Sequence, residues 1–300
     1  MTALIDPAVV AATFRQDMRV QLAALPEPLR LVGILAADRG PSNTYASYTE
    51  RACADLGIEF ELRHNTRLTV ESVIRAANAD PSVHGIMVYY PIFGTEQDGY
   101  LRDVVDPEKD IEGLHSSWAH RLYENRRYVD TAKTKKAILP CTPLAILKLV
   151  ESGGYFGAHA RPLEGRTACI FNRSEVVGRP LASMLAHDGA RVFSFDIDGP
   201  LLFEPPADVE ASHSLSETRV DRSSALQASD IVITGVPSKQ FELVRAQELR
   251  PGALCINFST YKNFADDIQG KAGAFVPRVG PMTVLMAIRN ALRLYHNARG

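Results

Sequence analysis

Between an apolar run ending at Phe171 and a helical pattern over Val176 to Ala186 stands the turn Asn172-Arg-Ser-Glu-Val-Val-Gly178-Arg-Pro180. Amide groups left free at a helix start, together with the helix dipole, suit a phosphate. Arg173, Ser174 and Arg179 add side-chain donors, and Asn172 tolerates an unusual turn conformation better than most residues. The turn is not G-x-G-x-x-G, so its glycine pattern alone is weak, and a solvated loop with two surface arginines is the other reading. Asp196 carries more information. It ends the next strand, eighteen residues beyond Gly178, where a carboxylate can accept from both hydroxyls of an adenosine ribose. A 2′-phosphate there would be repelled, since two unit charges ~4 Å apart interact by about 4 kcal/mol at an effective dielectric of ~20. The pattern predicts NAD over NADP, with Arg173 and Arg191 leaving some room for a phosphate.

The elements that must hold these residues alternate. Leu29–Ala36 and Val83–Tyr90 are short apolar runs fit for buried parallel strands, and Ile58–Leu62 is a weaker one. Ser42 is placed to cap a helix that stops at Gly57, and Thr69 one that runs to about Ala79. Residues 93–140 read as a loop-rich stretch holding the run Asp106–Gly113. A helix starts at Pro143 and ends at Gly153-Gly154. A second alternating unit follows, with strands over 166–171, 190–195, 231–234 and 253–258 and a short helix over 224–229. Residues 199–219 read as a polar insert. Val284, Ala287, Ile288, Ala291, Leu292 and Tyr295 make the tail an amphipathic helix. This rhythm predicts an α/β fold of two domains, the second Rossmann-like.

Composition bounds the function. The 300 residues are 46% hydrophobic and 23% charged, which fits a globular protein with a large core. Lys+Arg 33 against Asp+Glu 35 gives a net charge of −2, against a general nucleic-acid binder. Cys53, Cys141, Cys169 and Cys255 form no C-x-x-C, and no His pair has metalloprotease spacing, so no metal is expected. No apolar run reaches the ~18 residues of a membrane span, and residues 1–15 lack the features of a signal peptide. A cytoplasmic setting is the expectation.

Seven segments then occur in order: Ser42–Tyr45, Gly85–Pro91, Pro107–Gly113, Pro140–Pro143, Arg173–Pro180, Ser229–Pro237 and Val279–Thr283. Together they resemble the methylenetetrahydrofolate dehydrogenase/cyclohydrolase family over almost the whole chain. Bifunctional members carry, four residues after a tyrosine equivalent to Tyr45, a lysine needed for hydrolysis. Here that position is Thr49, and no lysine precedes Lys109. A family glutamine is replaced by Tyr89, a family aspartate by Glu112, and the nucleotide turn opens Asn-Arg-Ser rather than Gly-Arg-Ser. These departures are similar to the monofunctional NAD-dependent branch known from fungi.

The resemblance implies oxidation of 5,10-methylenetetrahydrofolate to the methenyl form, with NAD as cofactor and no significant cyclohydrolase activity. Hydride loss from the methylene carbon leaves a cation shared by two nitrogens, so no general acid or base is obligatory. The site must bring that carbon to roughly 3–3.5 Å from the acceptor and exclude water. Hydrolysis instead needs proton transfer, which a tuned lysine can manage and a threonine cannot. Catalytic positions implied are Tyr45, Thr49 in place of the lysine, and Glu112. Tyr45 borders the folate, Glu112 reads its aminopyrimidine edge, and Asp110 either shares that role or braces its loop. Tyr89 and Pro91 wall the site, with Pro281 and Thr283 near the ligands. Cofactor contacts fall to Asn172, Arg173, Ser174, Val177, Gly178, Asp196, Gly235, Val236 and Pro237.

The implied architecture is a folate-binding catalytic domain over 1–147, completed by the helix 283–300, and a Rossmann-like dinucleotide-binding domain over 148–282. Folate would enter between the two domains. The implied partners are tetrahydrofolate derivatives, polyglutamylated forms included, and a second copy in a homodimer; no nucleic acid or membrane is expected. Two rival readings stand beside this one: a bifunctional NADP-dependent enzyme with a displaced lysine, and a folate- or nucleotide-binding protein without turnover.

Overall fold

A computed structural model describes residues 2–36 and 40–299. Met1, Ala37, Asp38, Arg39 and Gly300, which fall within the expected domains, lie outside the described residues. The strands and helices are, in chain order, β1 (Ala3–Leu4), α1 (Pro7–Ala23), β2 (Arg30–Leu35), α2 (Pro41–Leu56), β3 (Glu59–His64), α3 (Val70–Ala79), β4 (Gly85–Val88), α4 (Glu96–Val104), α5 (Ser116–Tyr123) and α6 (Cys141–Ser152). There follow β5 (Thr167–Phe171), α7 (Gly178–His187), β6 (Arg191–Asp196), β7 (Gly199–Glu204), β8 (Ser214–Glu217), α8 (Arg222–Ala228), β9 (Ile231–Thr234), β10 (Leu254–Asn257), β11 (Ala274–Val276) and α9 (Gly280–Arg299).

The chain divides into two compact units. One holds Ala11–Arg121, Arg127–Cys141 and the chain from Thr283 on, around a parallel sheet of order β3-β2-β4. The central strand β2 has five consecutive buried residues, Leu31 to Leu35, as a parallel strand covered on both faces requires. The core of this sheet joins Val32, Ile34, Ile86 and Val88 to the α3 face of Val70, Ile74 and Ala77. Helix α2 ends as its sequence requires: Gly57 takes the left-handed conformation at φ 70° and its N–H reaches back to Ala54. Its start differs from expectation, because Gly40 and not Ser42 stands at the cap position.

The stretch 93–140 holds two helices rather than loop alone. Helix α4 buries only Leu101, so its apolar signal is faint. Caps hold it instead: Thr95 accepts the Gln97 N–H, and the Asp98 carboxylate gathers the N–H groups of Ile92, Phe93 and Gly94. Helix α9 joins this unit through Asn290, fully buried, whose amide donates to the carbonyls of Ile111 at 3.0 Å and Leu139 at 2.8 Å.

The second unit carries the residues up to Val10, Leu122–Arg126 and Thr142–Met282. Its eight strands run β1-β11-β10-β9-β5-β6-β7-β8, parallel from β1 to β6 and antiparallel through β7 and β8. Residues 199–219 are thus a sheet-extending hairpin, not an insert; prolines at 200, 205 and 206 hide its alternation. Strand β1, read from the sequence as part of the first domain, pairs with β11 here. Register places Phe171 beside both Phe195 and Thr234, so the turns after β5, β6 and β9 open at one edge of the sheet. That edge is where doubly wound sheets bind ligands. No helix among the described residues is long and apolar enough to cross a membrane.

Candidate active site

At the edge of the eight-stranded sheet, Asn172 leaves β5 at φ 145°, a conformation side chains rarely adopt. Its side chain locks the turn. Oδ1 accepts the Ser174 N–H at 3.0 Å and hydroxyl at 2.7 Å, and Nδ2 donates to the Gly235 carbonyl at 3.1 Å. Gly178 opens α7 and is buried; a β-carbon there would fall inside the van der Waals radius of the Asn172 carbonyl oxygen. Gly235 is required by the Phe258 ring, which occupies the space a side chain would need. Val236 is pinned by Asn263, which accepts its N–H at 2.9 Å and donates to its carbonyl at 3.1 Å. Pro237 follows, exposed, and Val177 is half-buried at the α7 cap position.

This is a backbone cradle with a helix N-terminus behind it, and it fits a dinucleotide pyrophosphate. Asp196 is exposed at the end of β6, with Oδ2 accepting the Arg173 N–H at 2.6 Å and Oδ1 the Ile197 N–H at 2.8 Å. A carboxylate retains lone pairs for ribose hydroxyls beyond these two bonds. The Arg173 side chain, expected to reach a phosphate, is engaged elsewhere. Its Nη1 donates to the carbonyls of Ser194 at 3.1 Å and Gly199 at 2.9 Å, inside the β6–β7 turn. Arg179 pairs with Glu175 at 2.9 Å and lies over the Tyr123 ring.

In the three-stranded unit, α2, the end of β4 and the loop before α5 bring together Tyr45, Thr49, Tyr89 and Glu112. The Tyr45 and Tyr89 rings meet edge to face at 5.8 Å. Thr49 is buried; its hydroxyl donates to the Tyr45 carbonyl one turn back at 3.0 Å and lies 3.8 Å from the Met87 sulfur. The phenolic oxygens of Tyr45, Tyr89 and Tyr90 are buried, and none is held by a well-formed hydrogen bond. Leaving such groups unmet costs about 1–3 kcal/mol each, which a polar ligand would recover. Burial raises all three phenols well above their ordinary range, so they act as neutral donors and acceptors.

Asp110 is buried beneath this cluster. Its two oxygens accept four amide N–H groups, from Glu112, Gly113, Leu114 and His115, at 2.7–3.1 Å. Both oxygens are thus engaged by the loop. Glu112 is left to face the cluster, with Oε2 accepting the Val88 N–H at 3.0 Å. Burial first, and the Asp110 charge second, push the Glu112 carboxyl up to about 8. Pro91 is exposed after a cis peptide bond from Tyr90. Pro281 is half-buried and Thr283 buried in the first turn of α9, which starts at Gly280 rather than 283.

The sequence reading missed Asn263 and Asn290. Both are fully buried amides, and only burial distinguishes them from surface polar residues; an asparagine among the apolar positions of α9 was the one available signal.

Residues 5–112 match the family model of the tetrahydrofolate dehydrogenase/cyclohydrolase catalytic domain, and residues 140–299 that of its NAD(P)-binding domain. A protein named methylenetetrahydrofolate dehydrogenase [NAD(+)] from Schizosaccharomyces pombe is 41% identical over 290 residues, covering 95% of this chain and 90% of its own. One of the same name from Dictyostelium discoideum is 42% identical, covering 98% and 94%. The structure of the NAD-dependent 5,10-methylenetetrahydrofolate dehydrogenase from Saccharomyces cerevisiae superposes with a TM-score of 0.93 at 37% identity, covering 99% of this chain and 98% of that one.

Proposed function

The chain belongs to the tetrahydrofolate dehydrogenase/cyclohydrolase family, and from that premise we propose that it oxidises 5,10-methylenetetrahydrofolate to the 5,10-methenyl form with NAD and does not hydrolyse the product. The observation that carries this reading is the state of Thr49. It stands where the bifunctional members hold their lysine, it is buried, and its hydroxyl is spent on the Tyr45 carbonyl. It has no proton to exchange near neutral pH. Hydrolysis needs one, whereas hydride loss does not.

When bound, NAD supplies the hydride acceptor. The protein's own part is positioning and electrostatics. The turn 172–178 would hold the pyrophosphate through its Glu175 and Val176 amides, since those of Arg173, Ser174, Val177 and Gly178 already bond within the turn or to Asp196, and Asp196 would accept from the adenosine ribose. Glu112, as a carboxylate, accepts the paired N–H donors of the aminopyrimidine edge and offers negative potential as cationic character develops on the folate. Asp110 fixes the loop that presents Glu112. Tyr45 and Tyr89 border the substrate and exclude water from it. A cytoplasmic setting, homodimerisation and acceptance of polyglutamylated folates complete the reading.

Initial rates with methylenetetrahydrofolate and each dinucleotide test it directly. We expect turnover with NAD and a kcat/KM for NADP lower by at least about tenfold; equal rates, or none with either, would sink the reading. Asp196→Ser should narrow the preference by about tenfold, because a hydroxyl can still accept the Arg173 N–H but no longer repels a phosphate. The hydrolytic half has its own trial. Purified protein should hydrolyse methenyltetrahydrofolate no faster than buffer. Thr49→Lys alone should stay inactive, since the new ammonium would be buried against Met87 and beside the Tyr89 ring. Thr49→Lys combined with Tyr89→Gln should gain a hydrolysis rate about 10-fold or more above that of the unaltered protein.

A further inference from the structure

A cavity of about 480 Å³ lies in the three-stranded unit among α1, α9 and the 134–136 segment. None of its lining residues belongs to the cluster of Tyr45, Thr49, Tyr89 and Glu112. Its chemistry is cationic. Arg289, Arg293 and His296 line it from one stripe of α9, Lys136 from the segment opposite, and Asp17 on α1 is the single carboxylate among the described lining residues. Two arginines one helical turn apart repel each other, and burial together with Arg289 draws the Arg293 guanidinium down to about 10.

We propose that this cavity is a binding site for a small polyanion of the phosphorylated-metabolite class. Guanidinium groups give the planar forks that fit phosphoryl oxygens, and Lys136 adds a point charge. The volume lies within the roughly 300–1,000 Å³ of small-molecule sites, larger than one inorganic anion needs. Phe14 and Met18 supply an apolar wall for the organic part of such a ligand.

The site is physically joined to the reaction cluster. Asn290, between the two arginines in sequence, holds the carbonyl of Ile111, the residue before Glu112. Arg293 donates to the Ala137 carbonyl at 3.3 Å and Asn297 to that of Lys136 at 3.1 Å, while Asn290 also holds that of Leu139. A ligand that draws Arg289 and Arg293 together pulls on the helix that anchors the Glu112 loop.

Calorimetric titration with inorganic pyrophosphate tests the proposal, using protein saturated with NAD so that the nucleotide turn is filled. One equivalent per chain should bind. Lys136→Gln, an exposed position, and Arg289→Gln should each weaken binding by about tenfold or more. Citrate, a polyanion without phosphoryl groups, should bind at least about tenfold more weakly than pyrophosphate. No saturable binding up to about 10 mM, or unchanged affinity in both variants, would overturn the site. Equal affinity for citrate would overturn the phosphoryl class.

Discussion

Gly178→Ala should lower kcat/KM for NAD by at least about 100-fold while leaving the affinity for folate unchanged. The added methyl has nowhere to go. It would collide with the carbonyl oxygen of Asn172, which is backbone, and Asn172 is held on both sides by its bonds to Ser174 and Gly235. The first turn of α7 must therefore move, and with it the turn 172–178 that Ser174 ties to it. Overpacking of this kind typically costs about 1–3 kcal/mol in stability, so a small fall in melting temperature is expected beside a loss of about 2.7 kcal/mol or more in transition-state stabilisation. The folate cluster belongs to the other unit. Equilibrium binding of folate, compared with steady-state kinetics in NAD, separates a local defect from unfolding. An unchanged KM for NAD would remove the turn from its assigned role.

The second large effect concerns Glu112 and is read through pH. In the folded protein without substrate this carboxyl sits at about 8, above the ordinary glutamate value of 4.5. The neutral form is thus the one the fold favours. Sign follows from linkage: the associated stability is fully present below pH 4.5, declines as pH rises, and is lost by about pH 8, amounting to at most about 5 kcal/mol. Glu112→Gln keeps an acceptor for the Val88 N–H and cannot ionise. Its melting temperature should vary less than that of the unaltered protein between pH 5 and 8, and should exceed it at pH 8.

Activity should move the other way. Paired N–H donors on the pterin require the carboxylate, so kcat/KM for folate should rise with pH through a midpoint near 8 to a plateau above it. Glutamine should remove that rise and cost roughly 10–100-fold at the plateau, the range of a lost charged hydrogen bond. A variant that kept the pH dependence would place the titrating group elsewhere.

The sheet-forming runs were legible because buried parallel strands announce themselves: Leu31 to Leu35 and Ile231 to Ile233 are apolar without a break. Asp196 was legible because it terminates such a run. Thr49 carried meaning only through the resemblance, since an isolated helical threonine says nothing about a lysine it replaces. The direction of the Arg173 side chain was not legible, for its acceptors include the carbonyl of Gly199 in a hairpin that reads as an insert. Asp110 posed a related problem. A carboxylate that serves a ligand and one that serves four amides have the same letter, and only the loop geometry distinguishes them. Helix α4 was missed because caps, not an apolar stripe, hold it, and α5 because its eight residues, with Trp118 and Leu122 buried, are too few to show a period.

Strand β1 and helix α9 come from opposite ends of the chain, and each completes the unit built mainly by the other half. Ala3 and Ile5 bond to Gly273 and Phe275, some 270 residues downstream, while Asn290 anchors carbonyls at 111 and 139. During synthesis, then, an edge position in the eight-stranded sheet is filled by β1, which is made some 270 residues before the β11 it must wait for. The three-stranded unit waits longer still, for the final helix. Each unit is thus closed by a long-range contact of high loop-closure cost. Cutting the gene near codon 148 should yield two fragments that are each unfinished, and stable only when expressed together.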